Sequence, residues 1–117
     1  MAGHAGQTAS LAANVDSGNV LAGKTYEFVP RTWRRGAAVR FLACADTAVK
    51  GFLATIKIDT TSLMDKETIS YAARHPQIPE DQLIVHWAPP GARLFLNFNG
   101  GATGGTTVSW KVDVEPV

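Results

Sequence analysis

Residues 82–114 read QLIVHWAPPGARLFLNFNGGATGGTTVSWKVDV, and this stretch decides the fold. Apolar side chains recur at every second position in three segments, which PPG at 89–91 and GGATGG at 100–105 separate. A repeat of two is typical of a β-strand with one buried and one exposed face. The predicted inward residues are Leu83, Val85, Trp87, Leu94, Leu96, Phe98, Val108, Trp110, Val112 and Val114. The stretch therefore predicts three antiparallel strands joined by two turns.

Shorter segments with apolar residues at alternate positions precede this stretch. Strands are predicted near 25–29, 37–44, 51–59 and 68–73, with Tyr26 and Phe28 facing inward in the first of them. Ser62 followed by Asp65 is the spacing of a capping box, so a loop or a single helical turn is predicted ahead of the strand at 68–73. About seven or eight short strands separated by turns are typical of an all-β fold, here a single antiparallel β-sandwich that is jelly-roll-like.

The beginning of the chain differs in composition from the rest. Residues 1–18 are small, polar and rich in glycine and alanine, with few side chains able to anchor a core. They are predicted to form a flexible N-terminal arm, ordered only against a partner. Residues 19–117 are predicted to form the β-sandwich domain.

Charge is sparse and unevenly distributed. Charged residues make up 18% of the chain, below the roughly 25% of an average soluble domain. Residues 1–57 carry seven basic and three acidic residues, whereas residues 58–117 carry four basic and seven acidic residues. This polarity favours self-association, because the basic half of one copy attracts the acidic half of another. A nucleic-acid-binding protein usually has a larger basic excess.

The sequence contains no recognisable catalytic or cofactor motif. Its three histidines, His4, His75 and His86, lack the close spacing of a zinc site. Cys44 is the only cysteine, which excludes an internal disulfide, and it sits within a predicted strand as a packing residue. The glycine-rich stretch at 100–105 is followed by a strand, whereas a phosphate-binding loop is followed by a helix. We therefore predict no catalytic, cofactor-binding or metal-binding residue, and no enzyme activity.

One basic and aromatic cluster is a candidate interface. Arg31, Trp33, Arg34 and Arg35 lie in a predicted loop, and we expect the arginines to meet acidic residues such as Glu80 and Asp81 of a neighbouring copy.

Two alternatives use the same exposed aromatic residue. Arginines beside Trp33 are also typical of surfaces that hold phosphates and stack bases in nucleic acid. A carbohydrate-binding sandwich would use Trp33 with the amides of Asn97 and Asn99. Trp87 and Trp110 share the phase of the inward residues, so they are predicted to lie in the core.

Three segments resemble a known class of protein. IPEDQL at 78–83, PGARLFL at 90–96 and TTVSWKVDV at 106–114 resemble the C-terminal half of small β-sandwich structural proteins of bacteriophage virions, such as decoration, minor capsid and spike-base proteins. The resemblance implies a self-assembling, non-enzymatic particle component. For such a component we expect trimers or larger homo-oligomers and contacts with other virion proteins. We predict no cofactor, and the near-neutral charge argues against nucleic acid as a partner. No signal peptide or membrane span is recognisable, so we expect synthesis in a host cytoplasm and a place in the virion.

Overall fold

Two β-sheets packed face to face form the protein. The computed structural model describes residues 2–8, 11–45, 52–71, 81–101 and 107–117. The strands are β1 (Ala2–Gln7), β2 (Asp16–Asn19), β3 (Ala37–Ala45), β4 (Leu53–Ile58), β5 (Thr61–Thr68), β6 (Ser70–Tyr71), β7 (Gln82–Ala88), β8 (Leu94–Asn99) and β9 (Val108–Pro116). Within these ranges the only helical element is a single 3-10 turn, Thr25–Glu27. None of them contains a helix long and apolar enough to cross a membrane.

The strand pairings are nested around the turn between β4 and β5. β1 pairs with β9, β2 with β8, β3 with β7, and β4 with β5, all antiparallel. Further pairs between β3 and β9 and between β4 and β8 complete a β1-β9-β3-β7 sheet and a β2-β8-β4-β5 sheet. A long hairpin rolled up in this way is a jelly roll. The predicted all-β antiparallel sandwich is thus confirmed; the nine strands include the two-residue β6, which pairs with β3 in parallel.

The core lies between the two sheets. It is built from alternate residues of the central strands, among them Val39, Phe41, Ile56, Leu96 and Phe98, all of which are fully buried. Burying each such side chain contributes about 1.5–3 kcal/mol to folding. The inward phase predicted for β8 and β9 is confirmed, because the alternate apolar residues of both strands are buried.

The first strand corrects the prediction of an N-terminal arm over residues 1–18. Residues 2–7 form β1, which pairs along β9 from Ala2 opposite Val114 to Gln7 opposite Ser109. Gly6 lies against the indole of Trp110, where an added Cβ would come within 3.0 Å of a ring carbon. The small residues here allow a backbone to pass close to a core tryptophan. They gave no sign of a strand because the pairing uses the main chain.

Two other segments also differ from the prediction. The predicted strand at 25–29 is largely the 3-10 turn, in which Tyr26 is half-buried and the following residue Phe28 is exposed. The carboxylate of Glu27 holds this turn by accepting hydrogen bonds from Gly23 N at 3.0 Å and Arg93 Nε at 2.8 Å. Conversely, the loop or helical turn predicted after Ser62 is part of strand β5.

Candidate functional site

Strand β7 faces the opposite way from the prediction. Directly paired residues of neighbouring strands share a sheet face. His86 is paired with the core residue Val39, whereas Val85 is paired with Arg40, on the outer face of the sheet. Val85 and Trp87 are accordingly 46% and 52% exposed, so the prediction that they are core residues is wrong.

The sequence of β7 explains the error. Leu83, Ile84 and Val85 are three consecutive apolar residues, which fit either phase of a strand. A bulge at the start of β7, where the register with β3 shifts, then selects the phase. Three consecutive apolar residues indicate that both faces of the strand carry apolar side chains. The sequence alone therefore indicated that one of these faces could lie outside the core.

The outer edge of β7 is not paired with any other strand in the described ranges. Val117 N donates to Gly36 O at 3.2 Å on the β9 side of β3, and Ala43 N donates to Asp81 O at 3.1 Å on the β7 side. Because hydrogen-bonding directions alternate along a strand, odd-numbered β3 residues face β7, and their partners Ile84 and His86 face β3. The main-chain N–H and C=O groups of Val85 therefore point away from β3. Among the strands that the structure describes, only β3 pairs with β7.

A basic loop adjoins the end of this edge. Trp87 Nε1 donates a hydrogen bond of 2.7 Å to Arg35 O, and Gly36 N donates one of 2.8 Å to Trp33 O. Gly36 adopts a φ of +81°, and an added Cβ there would collide with the carbonyl of Ala88 and lie 2.7 Å from Trp87 Nε1. Glycine is therefore required for the loop to lie against the tryptophan.

We call the combined patch the β7 surface. It comprises Val85, His86, Trp87, Arg34 and Arg35, all of which are exposed. Neither arginine forms an ion pair with any residue that the structure describes. As far as the described residues go, the surface therefore offers apolar area, unpaired main-chain groups and unneutralised positive charge side by side.

The remaining predicted interface residues divide into three groups. Arg31 is exposed and its side chain lies against Gly91, where an added Cβ would come within 3.3 Å of the arginine Cγ. Trp33 is only half-exposed, because its ring packs on Tyr26 with 5.8 Å between centroids. Asp81 is buried, which corrects its assignment as a surface residue, and its carbonyl oxygen bonds the β3 main chain. Glu80 lies outside the described residues.

A cleft opens beside β7, between the two sheets. It has a volume of about 340 Å³ and lies between the β4–β5 turn and the end of β7; its lining residues are Ile58, Asp59, Thr60, Thr61, Leu63, His86, Trp87 and Pro89. His86 Nδ1 lies 2.7 Å from Trp87 O, and Asp59 Oδ1 accepts a hydrogen bond of 2.9 Å from Arg93 N. Both polar groups are therefore engaged by the protein itself, and the cleft is mainly apolar.

The amides proposed for carbohydrate are part of the scaffold. Asn97 and Asn99 are buried, and their Nδ2 atoms donate to Asp16 Oδ1 at 3.1 and 2.9 Å. Their own oxygens accept bonds from Gly18 N and Gly101 N at 2.9 and 2.8 Å. These hydrogen bonds, that of Asn99 foremost, hold the pKa of the Asp16 carboxyl below its usual value. The two amides are therefore not available as a ligand platform beside Trp33.

The described part of the chain holds no group of three or more histidine, cysteine, aspartate or glutamate residues suited to a metal ion. Cys44 is fully buried, as predicted for a packing residue. No family model, no curated protein and no solved structure matches this chain. The β7 surface is therefore the candidate site on the strength of its own geometry.

Proposed function

We propose that this protein is a non-enzymatic structural subunit of a viral particle, of the bacteriophage kind, that assembles with copies of itself and with other virion proteins. The observation that carries the proposal is the exposure of Val85 and Trp87 on an open strand edge beside Arg34 and Arg35. Monomeric proteins normally cover or charge such edges, because an open apolar edge pairs with other chains.

The fold is compatible with this role but does not decide it. Jelly rolls occur in viral capsid subunits, and they occur also in lectins and cupins. Function has to be argued from the surface of the particular protein. Here the surface is suited to contact with protein, because it combines an exposed aromatic residue, arginines and unpaired main-chain groups.

Charge supports contact between copies. Arg34 and Arg35 are exposed on the β7 surface, and Asp65 and Glu67 are exposed on β5, at the edge of the other sheet. A basic patch and an acidic patch at different places on one subunit attract successive copies to each other. Such attraction weakens as salt screens the charges.

The proposal is tested by the mass of the purified protein. We expect light scattering to show oligomers that grow with concentration and dissociate in high salt, and electron microscopy to show closed or extended assemblies. The double variant Arg34→Glu/Arg35→Glu should weaken association at least about tenfold. Lys24→Glu, which changes an exposed charge elsewhere, is the matched control and should leave association close to that of the wild type. A monomer at the highest attainable concentration, in low salt, would refute the proposal.

Nucleic-acid binding is the second candidate function. The exposure of Trp87 favours it, because an aromatic ring beside two arginines is able to stack on a base while they contact phosphates. Titration of the protein's tryptophan fluorescence with single-stranded oligonucleotides at two salt concentrations tests this candidate. Affinity that falls steeply with salt and is lost in Arg34→Glu/Arg35→Glu would support it. No binding at low salt would exclude it.

A further inference from the structure

We propose that two copies of this chain join through β7, with their β7 strands antiparallel around a twofold axis at Val85, so that two sheets become one continuous sheet. The inference rests on the self-assembly proposed above and specifies the interface through which two copies first associate. Three observations carry it: the direction of the main-chain groups, the lack of charged residues and proline within β7, and the basic loop at one end of the strand.

The main chain of β7 is self-complementary. The N–H and C=O groups of Val85 point to the open edge, so Val85 of each copy donates to and accepts from Val85 of the other. In the same register Trp87 lies opposite Leu83 of the second copy. The Trp87 carbonyl is already contacted by His86 Nδ1, at 2.7 Å, so the Val85 pair forms the centre of the contact. An interface of this kind uses one patch twice and closes as a dimer.

In the described part of the chain, the other sheet edges differ from β7 in composition. β5 carries the exposed charges of Asp65, Lys66 and Glu67, and Lys66 breaks the strand geometry with a φ of +46°. β2 carries Asp16, and β1 consists mainly of glycine and alanine, which add little apolar area. β7 contains no lysine, arginine, aspartate, glutamate or proline. Apart from the bulge at its start, β7 therefore lacks the charged side chains and prolines that usually prevent pairing between edges.

A basic loop lies at one end of β7. Arg35 is bonded to Trp87 near the end of the strand, and Arg34 is exposed beside it. In an antiparallel pair the loops of the two copies lie at opposite ends of the joined strands, whereas parallel pairing would place them side by side. Repulsion between the arginines therefore favours the antiparallel arrangement.

The decisive experiment places one charge at the centre of the edge. Val85→Lys is compared with Val15→Lys by sedimentation equilibrium, because both valines are 46% exposed and only Val85 is on β7. We expect a wild-type dimer, a rise of about 100-fold in the dissociation constant for Val85→Lys, and a change of less than about twofold for Val15→Lys. Circular dichroism and thermal unfolding verify that both variants are folded.

A cross-link tests the register directly. Paired residues of this type have Cα atoms about 5.5 Å apart, within the range of a disulfide. Val85→Cys should therefore oxidise to a covalent dimer, whereas Val15→Cys and the wild type, whose Cys44 is buried, should not. A wild-type oligomer that is insensitive to Val85→Lys and not cross-linked by Val85→Cys would overturn the β7 contact and leave self-assembly standing. A wild-type monomer under all conditions would overturn both.

Discussion

The indole Nε1 of Trp87 donates a hydrogen bond of 2.7 Å to the main-chain oxygen of Arg35. This bond links residues far apart in sequence and fixes the basic loop at the end of the β7 edge. It also explains how a tryptophan that is half-exposed keeps a defined position. Charge and apolar area are thereby presented as one surface.

Replacing Trp87 with phenylalanine tests this link. Trp87→Phe retains an aromatic ring but removes the donor, so we expect unfolding free energy to fall by about 1 kcal/mol. Hydrogen exchange at Arg35 and Gly36 should become faster, because the loop loses its anchor. Trp33→Phe is the control: its ring contact with Tyr26 does not hold the β7 edge. Unchanged exchange in Trp87→Phe would show that the bond does not order the loop.

Comparing Gly36 with Gly18 measures how closely the basic loop approaches Trp87. Both have positive φ, +81° and +75°, but only Gly36 has neighbours within 4 Å of an added Cβ. Gly18→Ala should cost about 1 kcal/mol from backbone strain alone. Gly36→Ala should cost about 3 kcal/mol, because the methyl group also collides with Trp87 and the Ala88 carbonyl. Equal losses in chemical denaturation would contradict the close approach.

Strand β1 is tested by filling the space above Trp110. Gly6→Val requires β1 or the indole to move, since a Cβ alone would come within 3.0 Å of the ring, and should cost about 1–3 kcal/mol. Ala5→Val, at the adjacent exposed position, should change stability by less than about 0.5 kcal/mol. Thermal unfolding of the two variants measures the difference. If Gly6→Val left the stability unchanged, residues 2–7 would not pack against Trp110, and the prediction of a flexible arm would stand.

Acid should weaken the hydrogen-bond network of Asp16. Because the pKa of this carboxyl is lowered in the folded protein, its contribution to stability is present above the pKa of the unfolded chain and is lost as pH falls through the folded pKa. We expect the loss to begin below about pH 4. Asp16→Asn should show a smaller loss of stability over that range than the wild type.

Glu27 supplies the comparison for the acid titration. Its pKa is also lowered, first by the hydrogen bond from Gly23 N and further by Arg93, so Glu27→Gln should remove a separate part of the pH dependence. Parallel curves for wild type and Asp16→Asn would show that the asparagine bonds do not stabilise the charged form.

The sequence predicts a strand's orientation well only where the apolar residues are confined to one face of that strand. β8 and β9 are central strands whose apolar residues keep one phase, and their inward residues were identified correctly. β7 is an edge strand with Leu83, Ile84 and Val85 in succession, so pairing with β3 and not local pattern decided which side faces the core. β1 has almost no side-chain signal, because its stability comes from main-chain pairing over Trp110.

Only part of the candidate site could be predicted, because some of its residues are positioned by contacts between segments distant in the sequence. The exposed arginines at 31, 34 and 35 were identified, since charged side chains in a loop rarely become buried. Trp87 was not, because its exposure follows from the pairing of β7 with β3, and its indole bonds to a loop more than fifty residues away. Asp81 was placed at the surface, but it is buried.

The partnership of the first strand with the last has a consequence for biosynthesis. Ala2 pairs with Val114, so β1 has no partner strand until β9 has been synthesised. Long-range pairing of this kind slows folding. On the ribosome, the nascent chain cannot close the sheet that contains β1 until β9 has emerged, so the two-sheet sandwich stays incomplete until then.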